Sequence, residues 1–301
     1  AYNGPAGLAY NPGTALSDDW EGYFFASFFT ATSTSSKIQA FRLAPKGASF
    51  EIEEPIDILG GIVPTGITFG PDGGLYLNDW KDSYSKKPEG RIWKIDATES
   101  RKHALAKKTQ ELLLAGVKSL TITALENHLA YADQRVRLAA QFELVKRNEE
   151  DLLKRIANDG SSLLQRIHAI WGLGQLGRIQ PTVLIDILPL LADKEPEIRA
   201  QVSKVIGDAS LKEAFDDIHL LLKDPNPRVQ LYATETVGKI GNRDAKPSLI
   251  EILQSIEESD PHLRHAVVYA LSKIATSKDI ESLSTHDSKY VRSEEHTSEL
   301  Q

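Results

Sequence analysis

Residues 90–114 read GRIWKIDATESRKHALAKKTQELLL, and the fold is decided inside that stretch. Gly90-Arg91-Ile92-Trp93-Lys94-Ile95 has the glycine start and the aromatic and branched residues of a β-strand. From about Ser100 onward the chain turns Leu-, Ala- and Lys-rich, with apolar residues at helical spacing. Composition changes at the same place. Of the 22 Phe, Tyr and Trp residues, 15 precede Ala97, as do 12 of the 20 glycines. A β region is therefore expected before the switch and an all-helical region after it.

Working back from the switch, two passages follow one plan. The first contains Pro5-Ala6-Gly7-Leu8, then Gly22-Tyr23-Phe24-Phe25-Ala26-Ser27, then Lys37-Ile38-Gln39-Ala40-Phe41-Arg42, with a fourth strand from Phe50 to Leu59. The second contains Pro64-Thr65-Gly66-Ile67, then Gly74-Leu75-Tyr76-Leu77-Asn78-Asp79, then Gly90 to Ile95. Short strands recurring at roughly 60 residues are the pattern of propeller blades. About two blades are present, so the β region is expected to form an incomplete propeller with an exposed edge.

Working forward, Asp133-Gln134-Arg135-Val136-Arg137 recurs in altered form at Asp193 to Arg199, Asp224 to Val229 and Asp260 to Arg264. Leu164-Gln165-Arg166 fits the same register, with Ser161 and Ser162 where the others have Asp. Each string precedes an Ala-rich amphipathic helix, and a Leu- and Ile-rich helix such as Val183 to Leu191 follows. Repeats of roughly 30 residues built from helix pairs are a solenoid of HEAT type. The Asp can cap the next helix, and the Arg one turn later can pair with neighbouring carboxylates.

Composition excludes some functions. With 42 acidic and 35 basic residues, the net charge is −7, and no basic block suited to a nucleic-acid backbone is present. No apolar run is long enough for a membrane span. The absence of cysteine excludes disulfides, thiolate catalysis and Cys-held zinc or haem within these residues. There is no methionine either, so the natural start is expected upstream. The last residues, RSEEHTSELQ, resemble a translated sequencing adapter, and 292–301 is read as a non-native tail.

The passages GLAYNPGTALSDDWEGYFF, PTGITFGPDGGLYLNDW and GRIWKID resemble the last blades of large secreted bacterial proteins. These are identified as membrane-bound dehydrogenase-like or haem-binding proteins, with a propeller similar to that of quinoprotein glucose and sorbosone dehydrogenases. DQRVRLAAQFELV and LQRIHAIWGLGQLG resemble the HEAT segment that follows it. The resemblance implies a multidomain chain: propeller blades over 1–98 and an α-solenoid of HEAT repeats over 99–291. It further implies that the intact form oxidises a sugar or alcohol with pyrroloquinoline quinone. Electrons would pass to a c-type haem domain carrying Cys-x-x-Cys-His, and the protein would lie in the periplasm or outside the cell. No catalytic residue of that family maps onto a position here, so these residues alone are expected to be inactive. The alternative is a non-catalytic scaffold whose propeller rim and solenoid groove hold glycan or protein partners.

In a blade, the loop before the first strand and the loop between the second and third share one face. Asn78, Asp79 and Trp80 are therefore expected beside Gly60 to Pro64 and the loop running to Gly90. Asp79 could accept hydrogen bonds from a ligand hydroxyl, and Trp80 could stack on a sugar. The bland reading has Asp79 binding backbone N–H groups and Trp80 packing between blades. Gly172, Gly174 and Gly177 match the dinucleotide string G-x-G-x-x-G. They fall within a helix expected to start near Arg166, where close packing explains them better. His262 and His265 share a helix face but lack a third ligand nearby, so no metal site is expected. His168, beside Trp171, reads as an inter-repeat hydrogen bonder, and Asp72 as a turn residue.

Overall fold

The computed structural model describes residues 4–81, 89–97, 103–256 and 260–292, so the loop 82–88 and all but the first residue of the expected tail lie outside it. Seven strands form two sheets. β1 (Gly4–Tyr10), β2 (Phe24–Phe29), β3 (Lys37–Lys46) and β4 (Ser49–Gly60) lie in that order in the first. β5 (Pro64–Phe69), β6 (Leu75–Trp80) and β7 (Gly90–Ile95) make the second. The sheets are antiparallel and, among the described residues, do not close into a barrel.

The repeated Pro-x-Gly has a structural cause. Register shifts between Pro5 and Gly7 in β1, and between Pro64 and Gly66 in β5, so both mark the same bulge. A Cβ on Gly7 would stand 3.1 Å from the Ile67 nitrogen, so the approach of β5 to β1 needs glycine there. Between the sheets, Phe25 and Leu75 are fully buried with Leu16, Tyr23 and Ala40; Ile38, Ile62 and Leu77 form a second cluster. Each large apolar side chain removed from water contributes roughly 1.5–3 kcal/mol.

The chain divides into two compact units. The first runs to Ala44 and again from Glu51 to Ala140; the second holds Pro45–Phe50 and everything from Gln141. The first unit thus includes α1 (His103–Ala115), α2 (Ile122–His128) and the start of α3 (Gln134–Lys146). Asp133 explains why. Fully buried, it accepts from the Thr14 hydroxyl at 2.6 Å and pairs with Arg135 at 2.8 Å, while Arg135 donates to the Gly70 carbonyl at 2.6 Å. The Gln134 N–H donates to the Pro12 carbonyl at 2.8 Å. Gly13, at φ +110°, lies where a Cβ would meet the Ala132 carbonyl oxygen.

In the second unit, α5 (Leu163–Gly177), α6 (Pro196–Ala209), α8 (Pro227–Ile240) and α10 (Pro261–Ile274) pack each on the next. A second row holds α4 (Glu150–Asp159), a 3₁₀ segment (Pro181–Ala192), α7 (Phe215–Leu220) and α9 (Lys246–Ile256); α11 (Ser277–Ser284) and α12 (Lys289–Arg292) follow. Pro196, Pro227 and Pro261 open their helices, where a missing N–H costs nothing. Two expectations need correction. Ser162 caps α5 by accepting from the Gln165 N–H, so that helix starts at Leu163 rather than near Arg166. The expected helix Val183 to Leu191 is 3₁₀ instead, with Pro189 inside it, and its apolar residues still bury at a spacing of three to four.

One glycine position recurs in the front row. Gly174, Gly207 and Gly238 each stand twelve residues after their helix's N-cap. They face Val205, Thr236 and Ala270 of the following helix, where a Cβ would come within 2.6, 2.5 and 2.7 Å. Small residues here let successive repeats approach closely; of the string at Gly172, Gly174 and Gly177, the second takes this place, while Gly172 packs on Leu153 and Val145 and Gly177 on Leu184.

Candidate functional site

In the first unit, the loops carrying Ala31 to Ser33 and Leu59 to Val63 and the ends of β6 and β7 enclose a cleft of about 780 Å³. Asp79 lies at its wall, 6% exposed. Its Oδ1 accepts from the Val63 N–H at 2.9 Å and its Oδ2 from the Trp93 indole N–H at 3.0 Å, with Arg91 Nε 3.9 Å away. The Trp80 N–H donates to the Val63 carbonyl at 2.9 Å, and its ring lies parallel to Phe29 at 5.9 Å. Asp79 and Trp80 thus line the cleft together with Gly60 and Gly61. Asn78 does not. It is exposed and alternates away from Asp79; Trp80 shares that side of β6 but lines the cleft at the strand's end.

Sequence reasoning missed Arg91 and Trp93. They alternate along β7 on the face that carries Asp79, since Asp79 pairs with Arg91 and Leu77 with Trp93 across the strands. A pairing register was the signal that could have found them. Two indoles and a guanidinium around a held carboxylate offer flat apolar faces with polar edges, which suits binding. Among the described lining residues there is no histidine.

The other sequence candidates lie elsewhere. Asp72 accepts from the Gly74 N–H at 3.2 Å, the Tyr76 hydroxyl at 2.7 Å and Lys94 at 2.9 Å. Burial pushes its pKa up, but these donors, Lys94 foremost, outweigh that and hold it below the usual carboxylate value. His262 and His265 are exposed, and no three metal-binding side chains cluster among the described residues. His168 is buried, shares a 2.8 Å hydrogen bond with Gln141 Oε1 and meets Trp171 edge-on at 5.0 Å. Trp171 in turn donates to Gln201 Oε1 at 2.7 Å, and Gln201 donates to Glu197 at 2.6 Å. These polar links run from repeat to repeat.

The recurring Arg and Asp form the strongest such links. Arg166 meets Asp193 at 2.5 Å, and Arg199 meets Asp224 through two bonds of 2.8 and 2.9 Å. Both aspartates also accept from a backbone N–H two residues on, Glu195 and Asn226, which fixes the turn. The arginine folds back as well. Arg199 donates to the Asp193 carbonyl at 2.8 Å, as Arg137 does to Tyr131 and Ala132 and Arg292 to His286 and Asp287. Each such arginine ties its own turn, and Arg166 and Arg199 also tie the next repeat. The Asp224 contact raises the Arg199 pKa. For Asp193, burial alone would raise the pKa; Arg166 and the Glu195 N–H outweigh it and the net shift is downward.

The sequence comparison agrees with this geometry. Residues 184–257 and 218–297 match the family model for HEAT repeats. No curated protein matches the chain. Among solved structures, the CpcE–CpcF complex of phycocyanin lyase from Nostoc sp. PCC7120 is similar at 20% identity and a TM-score of 0.40, over 48% of this chain and 60% of that one. The chain thus spans less than two thirds of that lyase chain. A designed armadillo repeat protein is similar at 15% identity and a TM-score of 0.41, over 60% of this chain and 98% of its own. A second designed armadillo repeat protein, solved with the peptide (KR)4, gives 16% identity and a TM-score of 0.41 over the same shares. Such scores say nothing about what the chain binds. With the family match and the recurring Arg–Asp links, the helical part of the chain is a repeat solenoid that resembles HEAT repeats.

Proposed function

We propose that this chain is a binding scaffold, with the helical repeats as the surface that holds a protein partner. The Arg–Asp links from Arg166 through Asp224 carry this reading. They fix one repeat's turn to the next, so that successive repeats present one continuous surface. The test is photo-crosslinking from residues replaced one at a time along the exposed helix faces, at Phe142 and Tyr269, which are 54% and 39% exposed. A discrete partner crosslinked at both, with the intact chain competing, is the expected result. Absence of any competable crosslink would remove the proposal.

The oxidoreductase reading rests on the sequence resemblance alone. It places the histidine base, the quinone pocket and the haem attachment in segments outside this sequence. A longer protein containing it would then show haem absorbance near the Soret band, whereas this chain with added pyrroloquinoline quinone would turn over no sugar.

A further inference from the structure

The two sheets can be laid on each other by their shared bulge, and the comparison picks out one strand position. Gly7 pairs with Ser27 and Gly66 with Asn78, so β2 corresponds to β6, and β3 to β7. Continuing across, Ser27 pairs with Ile38 and Asn78 with Ile92; Phe28 pairs with Lys37 and Asp79 with Arg91. Lys37 therefore occupies the position of Arg91, Ile38 that of Ile92, and Gln39 that of Trp93.

In the first sheet β4 lies along the outer side of β3. Its residues from Glu51 to Leu59 alternate acidic and apolar over much of their length: Glu51-Ile52-Glu53-Glu54-Pro55-Ile56-Asp57-Ile58-Leu59. Asp57 is held by Lys37 at 2.8 Å and by Gln39 at 2.8 Å, and Glu54 accepts from the Tyr23 hydroxyl at 3.0 Å. Ile58 and Leu59 pack on the cluster that buries Ile38 completely.

In the second sheet the corresponding positions are open. Among the described residues, β7 has β6 as its one hydrogen-bonded neighbour. Ile92 is 74% exposed where Ile38 is 0%, partly because a second sheet also covers Ile38. Arg91 stands 51% exposed with Asp79 of its own sheet 3.9 Å away, where Lys37 holds Asp57 of the added strand, and Trp93 is 41% exposed. An edge strand of this kind is a template for strand addition, with backbone hydrogen bonds giving affinity and alternate side chains giving selectivity.

The geometry points to an extended, alternately acidic and apolar protein segment as the partner of β7. It adds as a fourth strand, with a carboxylate on Arg91 as Asp57 sits on Lys37 and an apolar residue over Ile92. This surface belongs to the β unit, so the proposal stands or falls apart from the helical scaffold.

The test uses the full chain and a synthetic peptide copying Glu51–Gly60, with amide exchange read over Gly90–Ile95. The peptide should slow exchange there about tenfold or more. A peptide with lysine at every acidic position should not. In Arg91→Gln the acidic peptide should lose most of its effect, and in Arg91→Glu the preference should shift to the lysine peptide, both judged on variants that keep native exchange in β5 and β6. Equal protection by both peptides, or by neither, overturns the proposal. So does protection of β7 that grows with protein concentration alone, which would make a second copy the occupant.

Discussion

Asp79 is held in part by a group that has nowhere else to turn. Val63 is 5% exposed, and its N–H has the Asp79 carboxylate as acceptor. Replacing Asp79 by Ala leaves that N–H and the Trp93 indole N–H without their acceptor, at a cost of about 1–3 kcal/mol. Urea unfolding should show this, with a change in indole fluorescence at low denaturant; Asp79→Asn keeps one accepting oxygen and should lose less. The glycines separate in a similar way. A Cβ on Gly238 would press within 2.7 Å of the Ala270 Cα, which is backbone, whereas one on Gly172 would meet movable Leu153 methyl groups at 3.1 Å. Gly238→Ala should therefore cost about 1–3 kcal/mol by overpacking. Gly172→Ala should fall near zero, since the gain in helix propensity of about 0.5–1 kcal/mol offsets a small clash. Thermal unfolding of the pair separates the two cases.

At the scale of elements, the Arg–Asp links matter most. Arg199 and Asp224 are 13% and 6% exposed in their side chains, so Arg199→Ala strands a mostly buried carboxylate and frees the Asp193 carbonyl. The expected loss is about 3–5 kcal/mol. Much of this level was legible in advance. The Asp and Arg of each repeat, the Pro-x-Gly strand starts and the switch from strand to helix all depend on local spacing. Other features were hidden because they depend on register between elements. The glycine twelve residues after the caps of α5, α6 and α8 is visible only when the helix starts are aligned, and Ser162 rather than Arg166 set one of them. Arg91 and Trp93 became cleft residues only through pairing with β6. The 3₁₀ winding around Val183 to Leu191 was hidden too, because apolar residues three and four apart fit either helix.

For the whole molecule, the carboxylates give an acid response of definite sign. Asp193, Asp208 and Asp279 have pKa values below their ordinary one. Burial raises that of Asp208, but Lys204 and Lys239 outweigh it; Lys246 and Thr276 lower that of Asp279. A depressed folded value stabilises fully above the unfolded carboxylate pKa of about 4 and is lost as pH falls through the folded value. Helical circular dichroism should thus hold steady from pH 7 to about 5 and fall below about 4. High salt should change this little for Asp193 and Asp208, which are shielded from solvent, and more for exposed pairs such as Lys223–Glu251.

A scaffold of linked repeats is best judged by how damage spreads through it. Residue-resolved amide exchange on Arg199→Ala measures this directly. The expected result is lost protection in α6 that extends into α5 and α8, fading with distance along the repeats. Loss confined to the turn around residue 199, with α8 exchanging as in the unaltered chain, would contradict the coupling on which the scaffold reading rests.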